Sequence, residues 1–110
     1  MGLPEEEEQP QDGVPLPARV ALLQNYPNPF NPITTIAYEL PREDRVQLAI
    51  YDLAGRRVRE LVNETSHPAG SFDAKWNGRD EKGGQVAAGT YFYRLAVGNK
   101  LQSRKMTLVK

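Results

Sequence analysis

Ile33–Ile50, ITTIAYELPREDRVQLAI, decides the fold. Ile36, Tyr38 and Leu40 alternate with Thr35, Ala37 and Glu39, so one face of the segment is apolar and the other mostly polar. Period two over this length predicts a half-buried strand. Pro41 ends it, because proline has no N–H to donate to a ladder, and Arg42-Glu43-Asp44 predicts a charged turn. Val46, Leu48 and Ile50 then alternate with Gln47, Ala49 and Tyr51. Two such strands in succession imply antiparallel sheets with one packed face and one wet face.

The same grammar extends in both directions. Asp52-Leu53-Ala54-Gly55 predicts a reversal, with Gly55 free to take positive φ. Arg56–Val62 returns as a strand whose alternation slips between Val58 and Leu61, which predicts a bulge near Arg59-Glu60. Asn63–Gly70 reads as a polar loop, with His67 as a surface residue within it. Phe72, Ala74 and Trp76 alternate with polar residues, and Gly78–Gly89 is a glycine-rich loop. Thr90–Val97 sets Tyr91, Tyr93, Leu95 and Val97 on one face, Gly98-Asn99 is a hairpin turn signal, and Leu101–Val109 follows with Met106 and Leu108 inward. Upstream, Arg19–Gln24 predicts a short first strand. About seven strands at roughly ten-residue spacing, with no helix, predict an all-β fold, an Ig-like antiparallel β-sandwich. No cysteine is present, so no disulfide supports it. The expected core is Ile36, Tyr38, Leu40, Val46, Leu48, Ile50, Val58, Phe72, Trp76, Tyr91, Tyr93, Leu95, Met106 and Leu108, with Trp76 at its centre.

Composition divides the chain in two. Residues 1–17 carry Glu5, Glu6, Glu7, Glu8 and Asp12, several prolines and no base. That predicts an acidic, extended linker, and residues 18–110 are the folded domain. All 14 bases but only nine of the 14 acids fall after the linker. The surplus reads either as solvated strand faces or as attraction to an anionic surface such as lipopolysaccharide. No clustered basic stripe points to nucleic acid, and no apolar run suffices for a membrane span. Met1-Gly2 opens no secretory signal, so an exported protein would carry one upstream. Tyr26-Pro27-Asn28-Pro29-Phe30-Asn31-Pro32 holds three prolines that fix φ and remove donors. A stiff lead-in is expected there, with Tyr26 and Phe30 packed on the sandwich.

No acid–base or nucleophile constellation is legible. His67 stands alone, and Ser66, Ser71 and Ser103 lack a nucleophile elbow. No paired histidines or thiols offer a transition-metal site. No enzyme activity, catalytic residue, cofactor or metal is therefore expected. The loop 77–84 sets oxygen donors beside glycines and is the one place where calcium is conceivable, although it lacks the EF-hand spacing and carries Arg79 and Lys82. An alternative function is a carbohydrate-binding or adhesive module of a polysaccharide-degrading enzyme, with Tyr51, Phe92 and Phe30 as stacking candidates. A structural Ig-like spacer is another.

Four motifs occur in order: Tyr26-Pro-Asn-Pro-Phe-Asn-Pro32, then Leu48-Ala-Ile-Tyr-Asp-Leu-Ala-Gly-Arg56, then Trp76-Asn-Gly-Arg-Asp80 with Gly89-Thr-Tyr-Phe-Tyr-Arg-Leu95, and Lys105-Met-Thr-Leu-Val-Lys110. Together they resemble the C-terminal sorting domain of type IX (Por) secretion cargo, type A. The middle motifs are also similar to the Ig-like domain of the flagellar hook-capping protein. The resemblance implies a C-terminal, non-catalytic module of a secreted multidomain protein, with its cargo upstream in the same precursor. Its partners would be outer-membrane secretion and attachment machinery and lipopolysaccharide. It would lie at the cell surface, in the outer membrane or outside a Gram-negative bacterium. By the same resemblance Gly89, Tyr91, Tyr93, Leu95, Arg104, Lys105, Met106, Leu108 and Lys110 would be recognised by the translocon. Tyr26, Pro27, Asn28 and Pro29 would mark where the domain opens.

Overall fold

The computed structural model describes residues 15–110, so the expected linker lies, up to residue 14, outside the described residues. The deciding stretch forms two strands, β2 (Thr34–Leu40) and β3 (Asp44–Tyr51). In β2 the buried residues are Thr34, Ile36, Tyr38 and Leu40, every second one, as period two requires. β1 (Ala21–Leu22) and β5 (Gly70–Trp76) pair with its two edges to make a three-stranded sheet. β3 lies between β4 (Arg57–His67) and β6 (Gly89–Val97), and β7 (Lys100–Leu108) completes a four-stranded sheet in the order β4-β3-β6-β7. Every pairing between these strands is antiparallel. The chain changes sheet between β2 and β3, between β4 and β5, and between β5 and β6, which makes an Ig-like sandwich.

The apolar faces meet around Trp76, 1% exposed, whose ring lies 5.6 Å from Phe30 and 5.4 Å from Tyr91. Its indole N–H donates to the Arg79 carbonyl, so the ring is buried with no polar atom stranded. Burying each such large side chain contributes roughly 1.5–3 kcal/mol, which suits a core that no disulfide braces.

Four expectations need correction. Asn63–His67 is not loop: β4 runs on, with Asn63 opposite Gln47 and His67 opposite Asp44. Its residues are polar because β4 is an edge whose outer side faces water, and β3 satisfies its backbone, so pairing outweighs composition. His67 is not on the surface; it is buried, 4.4 Å from the Phe72 ring, edge to face. The first strand shrinks from Arg19–Gln24 to Ala21–Leu22, because Asn25 is drawn across to β6. Tyr26 is 80% exposed rather than packed. Its backbone N–H and C=O both bond Thr35, which turns the ring outward. The bulge near Arg59-Glu60 is present as two register shifts that leave Leu61 and Val58 unpaired, one on each side of the expected place. Val58 and Phe72 are half-buried, whereas Leu22, Phe30 and Val97 join the core.

The His67 contact generates a prediction. The Pro68 carbonyl can only accept, so Nδ1 carries the ring hydrogen and Nε2 accepts from the Tyr38 hydroxyl at 2.9 Å. Tyr38→Phe strands that buried nitrogen and is expected to cost roughly 1–3 kcal/mol in urea denaturation. Burial, and after it the charge of Glu64, pushes the Tyr38 hydroxyl up to about 12 from an ordinary value of 10.0. Ionisation is therefore harder in the folded chain than in the unfolded one. The contribution of Tyr38 should be fully present below about pH 10 and be lost as pH rises towards 12, measured as urea midpoint against pH with Tyr38→Phe as the reference.

Candidate functional site

β1 and β7 are edges of different sheets on the same side of the sandwich, and backbone ladders do not join them. Side chains of β7 do so instead. Gln102 accepts from the Leu22 N–H at 2.9 Å and donates to the Val20 carbonyl at 3.1 Å. The Arg104 guanidinium donates to the Leu22 carbonyl at 2.6 Å. Gln24 reaches the Lys105 carbonyl at 3.0 Å. An otherwise open seam is thereby latched, and two exposed edges are blunted.

The proline segment continues this seam. Tyr93, fully buried on β6, places its hydroxyl between the two sheets, accepting from the Asn25 N–H and donating to the Leu23 carbonyl, each at 2.8 Å. Asn25 is buried and donates to the Pro27 carbonyl and to Thr34 Oγ1. The chain is thus turned so that Asn28 Oδ1 accepts from the Thr107 N–H at 3.0 Å. Phe30 then pairs in parallel with β7, its N–H donating to the Thr107 carbonyl and its carbonyl accepting from the Val109 N–H. Prolines suit this path, since residues without N–H groups leave no donors unpaired.

The structure therefore joins two groups of residues that the sequence keeps about 75 positions apart, the lead-in around Asn28-Pro29 and the last strand. It also sorts the expected recognition residues by accessibility. Tyr91, Tyr93, Leu95, Met106 and Leu108 are buried and form the core behind the edge. Gly89 opens β6 with φ +146°, a conformation that favours glycine. Arg104 is spent on the latch. Lys105 stands on the outer face of the four-stranded sheet, opposite Phe92, and Lys110 is exposed beyond β7. Tyr26, Pro27, Asn28 and Pro29 are exposed beside them. Sequence reasoning missed Asn25 and Gln102, because a polar residue that bridges sheets leaves no trace in a hydrophobic period.

Other candidate chemistry is largely consumed by the fold. In the loop 77–84, Asp80 Oδ1 accepts from the N–H groups of Lys82 and Gly84, which closes the turn. A cleft of about 420 Å³ faces Asp52, Asp80 and Glu81 against Arg56, Arg57 and Lys82. The hydrogen bond from the Arg56 backbone N–H, ahead of the Arg56 charge, holds the Asp52 carboxyl below the usual range. Glu81 accepts from the Glu60 N–H. Of the three stacking candidates, Phe30 is buried, and the Arg94 guanidinium lies 4.7 Å above the Tyr51 ring, covering one face. Phe92 alone is open, at 36% exposure.

Tyr93→Phe should strand the buried Asn25 N–H, at roughly 1–3 kcal/mol, and free the Leu23 carbonyl, which costs less because Leu23 is exposed to water. Asn28→Ala should cost less, about 1 kcal/mol. The two combined should fall short of additive by double-mutant cycle, because both act on one segment.

A family model, the FlgD Ig-like domain, matches residues 33–100. No curated protein matches the chain. Among solved structures, dimeric latent PorU from Porphyromonas gingivalis is 27% identical with a TM-score of 0.62, over 82% of this chain and 9% of that one. PorZ, a bacterial surface component of the type-IX secretion system of P. gingivalis, is 23% identical with a TM-score of 0.54, over 83% and 11%; at that identity only the fold is shared. FlgD from P. aeruginosa is 26% identical with a TM-score of 0.53, over 68% and 59%. The chain thus spans about a tenth of the two P. gingivalis proteins and less than two thirds of that FlgD chain.

Proposed function

This chain belongs to the FlgD Ig-like domain family, and from that premise we propose that it is a non-catalytic sorting and surface-attachment module of a secreted protein, type A in its motifs. Residues 18–110 act as the domain, on an acidic linker that joins it to cargo. The observation that carries this reading is the composite edge. The Asn28–Phe30 lead-in and β7 are hydrogen-bonded into one surface, so a partner reads both motifs together or neither. Buried tyrosines and Met106 hold that surface in shape, while Tyr26, Pro29, Lys105 and Lys110 present it.

The likeness to PorU supports the sorting reading over a purely flagellar one. Its 82% coverage exceeds the span 33–100 by more residues than follow Lys100, so it takes in part of the segment before Ile33. PorZ, which shares the fold, is a surface component of the type-IX secretion system. Outer-membrane secretion proteins are then the partners, the cell surface or the medium is the destination, and the excess of bases in the sandwich adds attraction to lipopolysaccharide. A second reading, an Ig-like assembly or spacer domain, draws on the family match itself, which needs neither flank. Calcium in the loop 77–84 is no part of either reading.

Truncation before Arg104 would remove Met106 and Leu108 from the core, so it would test folding as much as recognition. Charge reversal avoids this. The full chain, fused after a periplasm-targeted reporter in a bacterium with a type IX system, is expected to carry the reporter to the surface or medium. Lys105→Glu with Lys110→Glu should leave it in the periplasm without moving the melting temperature. A wild-type fusion retained in the periplasm would favour the spacer reading, and normal export of the charge-reversed fusion would overturn the edge as the signal.

A further inference from the structure

A second cleft, about 230 Å³, lies at the end of the sandwich where β6 turns into β7. Arg19, Arg42 and Lys100 all line it, although they come from the lead to β1, the β2–β3 turn and the start of β7. Only the fold brings them together. Among the described residues none of the three takes part in an ion pair. One carboxylate, Asp44, shares the cleft, and its Oδ1 accepts from the Arg45 N–H at 2.8 Å. The lining thus carries two positive charges in excess, on a chain of zero net charge. The cleft of about 420 Å³ differs, since its three cations face three carboxylates.

We propose that this cleft binds a phosphomonoester. Like charges gathered around one concavity repel each other and focus a positive potential into it. Two arginine forks and a lysine ammonium suit the oxygens of a phosphate group, and Asn99, which also lines the cleft, brings a neutral amide. Pro41 and Val97 supply apolar wall beside these donors. A monoester carries about two negative charges at neutral pH, matching the excess, whereas a diester carries half of that. The site stands apart from the composite edge and does not rest on the sorting reading.

Titration of the full chain with inorganic phosphate, followed by amide chemical shifts at constant ionic strength, tests the site. Saturable shifts are expected at Arg19, Arg42, Asn99 and Lys100, with none when chloride replaces phosphate. Arg42→Gln with Lys100→Gln should weaken binding about tenfold or more with an unchanged melting temperature, and Lys75→Gln should leave it alone. Phosphatidylcholine vesicles containing phosphatidic acid identify the source of the phosphate. Co-sedimentation assigns a lipid headgroup, and saturation by free phosphate without co-sedimentation assigns a soluble ligand; both support the cleft. Unsaturable shifts, shifts spread over all basic residues, or equal recruitment by phosphatidylglycerol vesicles would overturn it. So would binding that needs Glu5, Glu6, Glu7 and Glu8 changed to Gln, which would assign the cleft to that run of the same chain.

Discussion

The Tyr93 hydroxyl is the contact on which the composite edge depends. It is a polar group in the middle of an apolar core, and it must be satisfied or the core is destabilised. Its two partners, the Asn25 N–H and the Leu23 carbonyl, belong to backbone that has just left β1. By binding both, Tyr93 pulls that backbone from one sheet toward the other. Asn25 fixes the following turn through Pro27 and Thr34, Asn28 meets Thr107, and Phe30 lies along β7 beside Trp76. The latch by Gln102 and Arg104 works on the same principle, with side chains replacing a ladder that sheet geometry does not allow. Among the described residues no buried side-chain N or O lacks a partner, so this polar seam rigidifies the sandwich.

The burial pattern follows from that seam. Core and exposed positions alternate along the same strands, so on the proposed reading recognition would use the residues that folding leaves outside. On β6, Tyr91, Tyr93 and Leu95 face in while Phe92 and Arg94 face out; on β7, Met106 and Leu108 face in while Lys105 faces out. A motif spanning both sets therefore mixes residues that shape the surface with residues that present it. Substitution of the first kind lowers stability, and substitution of the second kind leaves the core intact.

The strands of Ile33–Ile50 and Thr90–Val97 were legible because each has one apolar face, and period two is written directly in such residues; Leu101–Val109 was legible from the Gly98-Asn99 turn before it and from Met106 and Leu108. The core centre at Trp76 was legible for the same reason. Asn63–His67 was not, because an edge strand with both faces polar has the composition of a loop. His67 illustrates a further limit: its burial depends on Tyr38 and Phe72 across the sheet corner, a contact between residues distant in sequence. For the site, the motifs of the lead-in and of β7 could each be read separately. Their junction could not, since it rests on Asn25, Asn28 and a tyrosine hydroxyl that any sequence pattern treats as turn or core.

The composite edge makes a demand that amide hydrogen exchange meets directly. The N–H groups of Phe30, Thr107 and Val109 bond across the junction between the lead-in and β7. In the native full chain they should be protected to the same degree as the β6–β7 ladder, because one cooperative unit would have to open to expose them. Exchange of Phe30 and Val109 at loop rates, with β6 and β7 still protected, would contradict the account and return the lead-in to the status of a tether.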